Sequence, residues 1–482
     1  MPRYSFGPFQ LDSESRRLTR DTDVVPLSDR HVEVLVQLVE HPGAILAKNA
    51  LIDAAWGDVA VTDNSLEQAI SGLRRILGDA AVIETVPRRG YRFTATVTRS
   101  VHRESDEGLM ALLAPHSAWL EGRSILETLD RARVTAAEDA FQRALAALPD
   151  AAPPHIGLAN ACMFRFESTR WHDAPDVASL QRAMVHAREA CRLDPGLAES
   201  WATLGFVSSR AGTAEALAAS QRAVVLEPDN WRHHLRLAFV GWGEERLRAA
   251  NRALRLLPGL SLAHFLAATV HIARQSFDAA EHEVSAGITA QEAQPASGAR
   301  FSGVGLHWLR GLLHVRAGDE QAACTSFERE LTAGDAGHLY AAECCANVHY
   351  AMGAVAWSRG DRAGAVAAFD RALALASGQP MARAARAALS PDAERQALRQ
   401  QLSSRLDRLR AHRLTIDAAM AESVAATVGG DVATAAAAVQ RACLDAPPGS
   451  QGWSLPIDPL LRVYTDEAAW AGPLALLRTR AA

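Results

Sequence analysis

The chain opens on an alternating pattern. Tyr4-Ser5-Phe6, Phe9-Gln10-Leu11, Arg17-Leu18-Thr19 and Val24-Val25-Pro26-Leu27 carry apolar residues at about every second position between polar turns. That is the period of short strands in an antiparallel sheet. From Ser28 the period changes: Val32, Leu35, Val36 and Val39 recur at i, i+3, i+4 and i+7. This is one face of a helix, with Ser28 as its N-cap and His41-Pro42-Gly43 as its stop. A second helix is predicted over Lys48–Trp56, with Leu51, Ile52 and Ala55 inward and Gly57 at its end. A third follows Asp63, which is placed to cap it. Leu66, Ile70, Leu73 and Leu77 form its buried face, and Gly78-Asp79 ends it. Two strand-like runs, 82–86 and 91–93, then flank Pro87-Arg88-Arg89-Gly90, which reads as a hairpin tip.

Sheet, three helices and a hairpin, in that order, make a winged helix, in which the third helix enters the major groove and the hairpin lies beside it. The outward side of the third helix supports this, with Ser65, Gln68, Gly72 and Arg75 opposite the apolar face and Asn64, Ser71 and Arg74 at its flank. Gln and Arg reach base edges, Asn and Ser hold phosphates, and small residues let a helix sit deep in a groove. Two adjacent arginines at an exposed tip suit a phosphate or the electronegative minor groove. Gly90 supplies backbone freedom there and Pro87 stiffens the turn. Residues 1–100 are near neutral as a whole. Within 64–100, however, Arg74, Arg75, Arg88, Arg89, Arg92 and Arg99 outnumber Glu67, Asp79 and Glu84, so positive charge gathers on the proposed DNA side.

The ordered set L-x-x-L…P-G…W-G…L-R-x-x-L-G-D…I-x-T-V-P-x-R-G-Y-R-F, over about residues 1–98, resembles the OmpR/PhoB-type winged-helix effector domain. Its flavour is that of the CadC/HilA-like regulators, which carry the domain at the N-terminus. The resemblance implies DNA-facing positions at Asn64, Ser65, Gln68, Ala69, Ser71, Gly72 and Arg74 on helix 64–77. It implies wing contacts at Thr85, Arg88 and Arg89 within 82–97. Arg75 joins the candidate set as a cation on the outward face, and Tyr91 as a wing residue that also reads as core.

A polar stretch at 100–110 is expected to be a linker, dividing a DNA-binding domain at 1–99 from a repeat domain at 111–482. Beyond it the pattern is helical and periodic. Ala-x3-(aromatic or small)-x2-Ala-x4-Pro fits Ala137, Phe141, Ala144 and Pro149; close variants are Ala183, Ala187, Ala190 and Pro195, then Ala216, Ser220, Ala223 and Pro228. Later copies keep Gly311, Gly318, Ala323 and Phe327, and Gly353, Gly360, Ala365 and Phe369. Small residues let paired helices approach, aromatics fill the gaps, and proline stops the second helix. This resembles a degenerate tetratricopeptide (TPR) array. Its spacing drifts near 160–180, 288–305 and 376–412, and 392–414 reads as one long charged helix. The expected fold class is therefore mostly α: an α+β winged helix followed by an all-α, TPR-like superhelical solenoid.

Composition narrows the function. A net charge of -5 over 482 residues makes any nucleic-acid role local. No signal peptide or apolar run long enough to span a membrane is seen, and the six cysteines form no C-x-x-C pair, so buried free thiols in the cytoplasm are expected. The histidine pairs His264/His271 and His307/His314 lack metal-site spacing. No cofactor, metal, membrane or catalytic role is expected. The expected function is sequence-specific DNA-binding transcription regulation in a bacterial cytoplasm. The expected partners are double-stranded DNA, RNA polymerase or a peptide or protein partner at the repeats, and a second copy of the chain as a homodimer on DNA. The alternative is a TPR scaffold whose winged helix mediates protein contacts.

Overall fold

A computed structural model describes residues 2–13, 15–21, 23–57, 63–78, 82–101, 103–294, 303–333, 337–447 and 449–482. Asp79, the side chain of Asp63 and the side chains of 101–112 lie outside the described residues. The chain divides into two compact units, residues 1–113 and 114–482.

In the first unit the alternating segments form β1 (Pro2–Phe6), β2 (Phe9–Asp12), β3 (Arg17–Arg20) and β4 (Asp23–Val25), followed by α1 (Asp29–Glu40). Then come β5 (Ile45–Leu46), α2 (Lys48–Trp56), α3 (Asp63–Leu77), β6 (Ile83–Val86), β7 (Gly90–Phe93) and β8 (Thr98–Val101). One sheet has the order β4-β3-β2-β1-β8 and the other β5-β7-β6, all pairs antiparallel. Phe6 faces Phe9, and Tyr4 and Leu18 flank Leu11 across the ladder, so the alternation puts one apolar face on the helices. The predicted face of α3 is inward: Leu66, Ile70, Leu73 and Leu77 are all buried. Ser28 caps α1, its hydroxyl accepting from the His31 N–H at 3.4 Å.

The sequence pattern did not predict β5 or β8. β8 pairs with the edge of β1 and supplies partners for backbone groups that would otherwise be exposed there. Ser100 and Val101 thus lie in a strand, and residues 103–110 lie in helix Arg103–Glu127.

The second unit is a TPR-like solenoid of antiparallel helix pairs. They begin with the part of helix Arg103–Glu127 from Ala114 onward and Val134–Ala147, and continue through Ala152–Thr169 with Val177–Leu193 and Ala198–Arg210 with Ala216–Leu226. Trp231–Val240 pairs with Glu244–Leu256, Ser261–Ala273 with Phe277–Glu292, Leu306–Ala317 with Glu320–Ala333, and Ala341–Ser358 with Arg362–Leu375. The long charged helix is Asp392–Ala411, and Thr415–Val428 with Val432–Asp445 form the last hairpin. The small-residue pattern has a direct geometric cause. A Cβ on Gly311 would fall 2.3 Å from the Phe327 ring, one on Gly353 2.6 Å from Phe369, and one on Gly157 2.2 Å from Phe141. Each glycine leaves room for the aromatic ring of a neighbouring helix.

Remote parts of this unit meet. The Gly378 N–H donates to the Trp171 carbonyl at 2.6 Å, and Arg170 pairs with Glu343 at 2.6 Å. After the last hairpin, a non-helical segment carries Trp453 inward against Phe265 and Trp308, with ring centroids 6.2 and 6.0 Å away. The terminal helix Glu467–Arg480 then returns to the middle repeats, where Arg274 donates to the Ala481 carbonyl at 2.8 Å. Among the described residues no helix is long and apolar enough to cross a membrane. Among the described residues Cys162, Cys191, Cys324, Cys344 and Cys443 form no disulfide.

Candidate nucleic-acid interface

The buried stripe of α3 fixes which side chains face out: Asn64, Glu67, Gln68, Ser71 and Arg75 are exposed, spaced by three and four residues. Ser65 is half-buried at the margin of this face. Three of the sequence-based candidates point elsewhere. Ala69 is 6% exposed and belongs to the core between Leu66 and Leu73. Tyr91 is 3% exposed because it shares the inward side of β7 with Phe93. Half-buried Gly72 lies against α1, where a Cβ would fall 2.5 Å from His31 Nε2 and push that side chain aside.

Arg74 also has another role. Its guanidinium donates to the Ile83 carbonyl from Nε at 2.8 Å and to Thr85 Oγ1 at 2.8 Å, so it ties α3 to the first wing strand. Thr85 is exposed but is engaged in this link. Arg74→Met is expected to destabilise the first unit by about 1–3 kcal/mol, because the Ile83 carbonyl loses its charged donor. Differential scanning calorimetry checks this; an unchanged transition would remove Arg74 from the helix–wing joint.

The wing tip is a tight turn. The Arg89 N–H donates to the Val86 carbonyl at 3.0 Å, with Pro87 next in the chain and Arg88 at a φ of 64°. Proline followed by a positive φ is the signature of a type II turn, in which glycine usually takes the second place. A residue with a side chain held there costs about 1–2 kcal/mol. Arg88 and Arg89 are both exposed. At Gly90 the φ is 136°, and a Cβ would lie 1.9 Å from the Leu46 carbonyl oxygen. This glycine lets β7 close onto β5.

Charge on this side is partly cancelled within the domain. Arg92 pairs with Glu84 across the hairpin at 2.5 Å, and Lys48 with Glu67 at 2.9 Å. Among the described residues no carboxylate pairs with Arg75, Arg88 or Arg89. These cations stand on the outward helix face and the wing tip. Glu67 and Lys48 were not foreseen as part of this surface. The exposed i, i+3, i+4 spacing of Glu67 with Asn64, Gln68 and Ser71 was the available signal.

Residues 21–93 match the family described as "Transcriptional regulatory protein, C terminal". The N-terminal unit carries an OmpR/PhoB-type domain. The chain is 34% identical over 118 residues to the cholera toxin homolog transcriptional activator of Vibrio parahaemolyticus, covering 23% of this chain and 40% of that protein. It is 38% identical over 98 residues to the transcriptional regulator HilA of Salmonella typhimurium, covering 20% of this chain and 18% of HilA. The chain thus spans less than half the length of these relatives. Among solved structures, the Klebsiella pneumoniae RstA DNA-binding domain in complex with RstA box is similar at 33% identity, covering 19% of this chain and 96% of that one, with a TM-score of 0.18 over the full length. In this OmpR/PhoB-type domain Arg74 joins α3, which carries the outward helix face, to the first wing strand.

Proposed function

We propose that this protein is a sequence-specific DNA-binding transcriptional regulator that acts in the cytoplasm. The observation that carries this is the set of exposed arginines without carboxylate partners among the described residues, Arg75 on α3 and Arg88 and Arg89 on the wing, beside a polar helix face in a domain of this family. α3 enters the major groove with Asn64, Gln68 and Ser71 toward base edges and Ser65 and Arg75 toward phosphates. Arg88 and Arg89 engage the backbone or the adjacent minor groove. Ala69, Gly72, Arg74, Thr85 and Tyr91 hold this surface in shape. The solenoid receives an effector or a protein partner, RNA polymerase among them, and brings two copies together on paired half-sites. The N-terminal winged helix, with β8 as part of its sheet, and the helical repeats act as separate folding units. No catalytic step is assigned to the chain.

Gln68 is the longest neutral polar side chain on the exposed face of α3. Gln68→Ala is expected to relax preference at one or two base pairs by about 1–3 kcal/mol, with nonspecific affinity nearly unchanged. The full chain and its variant are compared on a library randomised across the site. An identical preference for every base would take Gln68 out of readout and leave shape as the source of specificity.

A further inference from the structure

Inside the solenoid, between the helix pairs and the 451–459 segment, lies a cavity of about 310 Å³. Its size falls at the lower end of small-molecule sites. Aromatic rings from remote repeats converge on it: Phe265, Trp308 and Trp453 stack edge to face along one side. Among the described residues the Trp308 indole N–H, buried there, has no acceptor.

The charges around it are unevenly matched. Arg170 is paired with Glu343 at 2.6 Å and Glu167 at 3.2 Å, and Arg210 with Glu167 at 2.7 Å. Arg246 is different. It is 3% exposed, and among the described residues no carboxylate pairs with it. Its hydrogen bonds go to neutral oxygens: the Ala238 and Gly241 carbonyls at 2.9 and 3.1 Å, Thr269 Oγ1 at 3.0 Å and Gln451 Oε1 at 3.2 Å. These engage its Nε and Nη1 donors and cap the end of helix Trp231–Val240, while Nη2 reaches only the Phe239 carbonyl at 3.5 Å, and none of the acceptors carries a full negative charge. Burial, reinforced by repulsion from Arg210, lowers its pKa to about 9. A second polar feature faces the same space. Asp417 lines this cavity, and among the described residues its buried Oδ2 accepts no hydrogen bond. One cavity is therefore lined by both a cation lacking an anion and a carboxylate oxygen lacking a donor, and Gln451 of the 451–459 segment touches the cation.

We propose that this cavity binds a small aromatic carboxylate that carries a hydroxyl or amino group. The carboxylate replaces the Gln451 oxygen against Arg246, the ring lies among Phe265, Trp308 and Trp453, and the polar substituent donates to Asp417. The assignment rests on the reading that the repeats serve as the effector domain, and it names the effector's chemistry. Because Gln451 gives up its contact, occupancy is felt first by the 451–459 segment.

The test is titration calorimetry of the full chain, without DNA, using 4-hydroxyphenylacetate, its neutral amide 4-hydroxyphenylacetamide, and phenylacetate. The acid is expected to bind, with the amide at least tenfold weaker for want of a charge and phenylacetate weaker for want of a donor. Arg246→Gln is expected to bring the acid down to the amide's level, and Leu414→Trp, which fills the cavity, to abolish all binding. If Arg246→Gln does not fold, the acid-to-amide ratio of the unaltered chain and the Leu414→Trp variant decide. No binding of the acid, or equal binding of acid and amide, overturns the proposal. A chain that selects DNA but ignores the acid loses this site alone; one that binds the acid but no DNA loses the regulatory reading alone.

Discussion

Gly90→Ala is expected to detach the wing and destabilise the first unit by about 3 kcal/mol or more. Two costs coincide at this position. The backbone φ of 136° suits residues with a Cβ poorly, and the new methyl would lie 1.9 Å from the Leu46 carbonyl oxygen, a backbone atom with no rotamer to move. Relief requires β7 to leave β5, which breaks the pairing of Ile45 with Arg92 and Leu46 with Tyr91 and exposes the buried Tyr91 ring. Gly7→Ala is the control: its φ is also positive, at 54°, but nothing lies within 4 Å of the added atom. That change is expected to cost only about 1 kcal/mol. Hydrogen exchange at the amides of 83–93, with thermal unfolding of the full chain, separates the two. Equal effects of both changes would mean that the wing is not held by this close approach.

Replacing Arg88 and Arg89 together with alanine is expected to weaken binding to every DNA sequence by a similar factor. Two lost phosphate contacts flatten the dependence of log K on log salt by about two units, and at 0.15 M salt that corresponds to roughly thirtyfold in affinity. Stability is expected to hold or rise slightly, since Ala at position 88 keeps the turn while the exposed side chains contribute no core. Fluorescence anisotropy over a salt series, on both a preferred and a scrambled duplex, checks this. An unchanged slope would remove the wing from the interface; a loss confined to the preferred duplex would make the arginines base readers.

Much of the first unit was legible because its signals are local. The apolar spacing of α1 and α3, the Ser28 cap and the Gly57 stop each depend on residues within one or two turns of each other. Ala69 and Tyr91 were legible too, on the same evidence. Ala69 lies three residues after Leu66 and four before Leu73, and Tyr91 two before Phe93, so periodicity assigns both to the core while family position pointed to DNA. Gly72 and Arg74 were not legible. Their roles depend on His31 in α1 and on Ile83 and Thr85 in the wing, contacts that close only in three dimensions. β5 is only two residues long and β8, Thr98–Val101, has no apolar alternation; both pair with open edges, of β7 and β1. The cavity is further from the sequence still: Arg246, Trp308, Asp417 and Trp453 are spread over four parts of the chain and share no motif.

Selection of bound duplexes from a random pool by the full-length protein tests the central claim most directly, with the affinity of the enriched site then compared with a scrambled one at 0.15 M salt. The account predicts that a defined site emerges and is bound about a thousandfold or more tightly than the scrambled duplex, with an affinity that falls steeply as salt rises. A pool with no enriched sequence, and no salt-dependent binding even at low ionic strength, would contradict it and leave the winged helix as a surface for proteins.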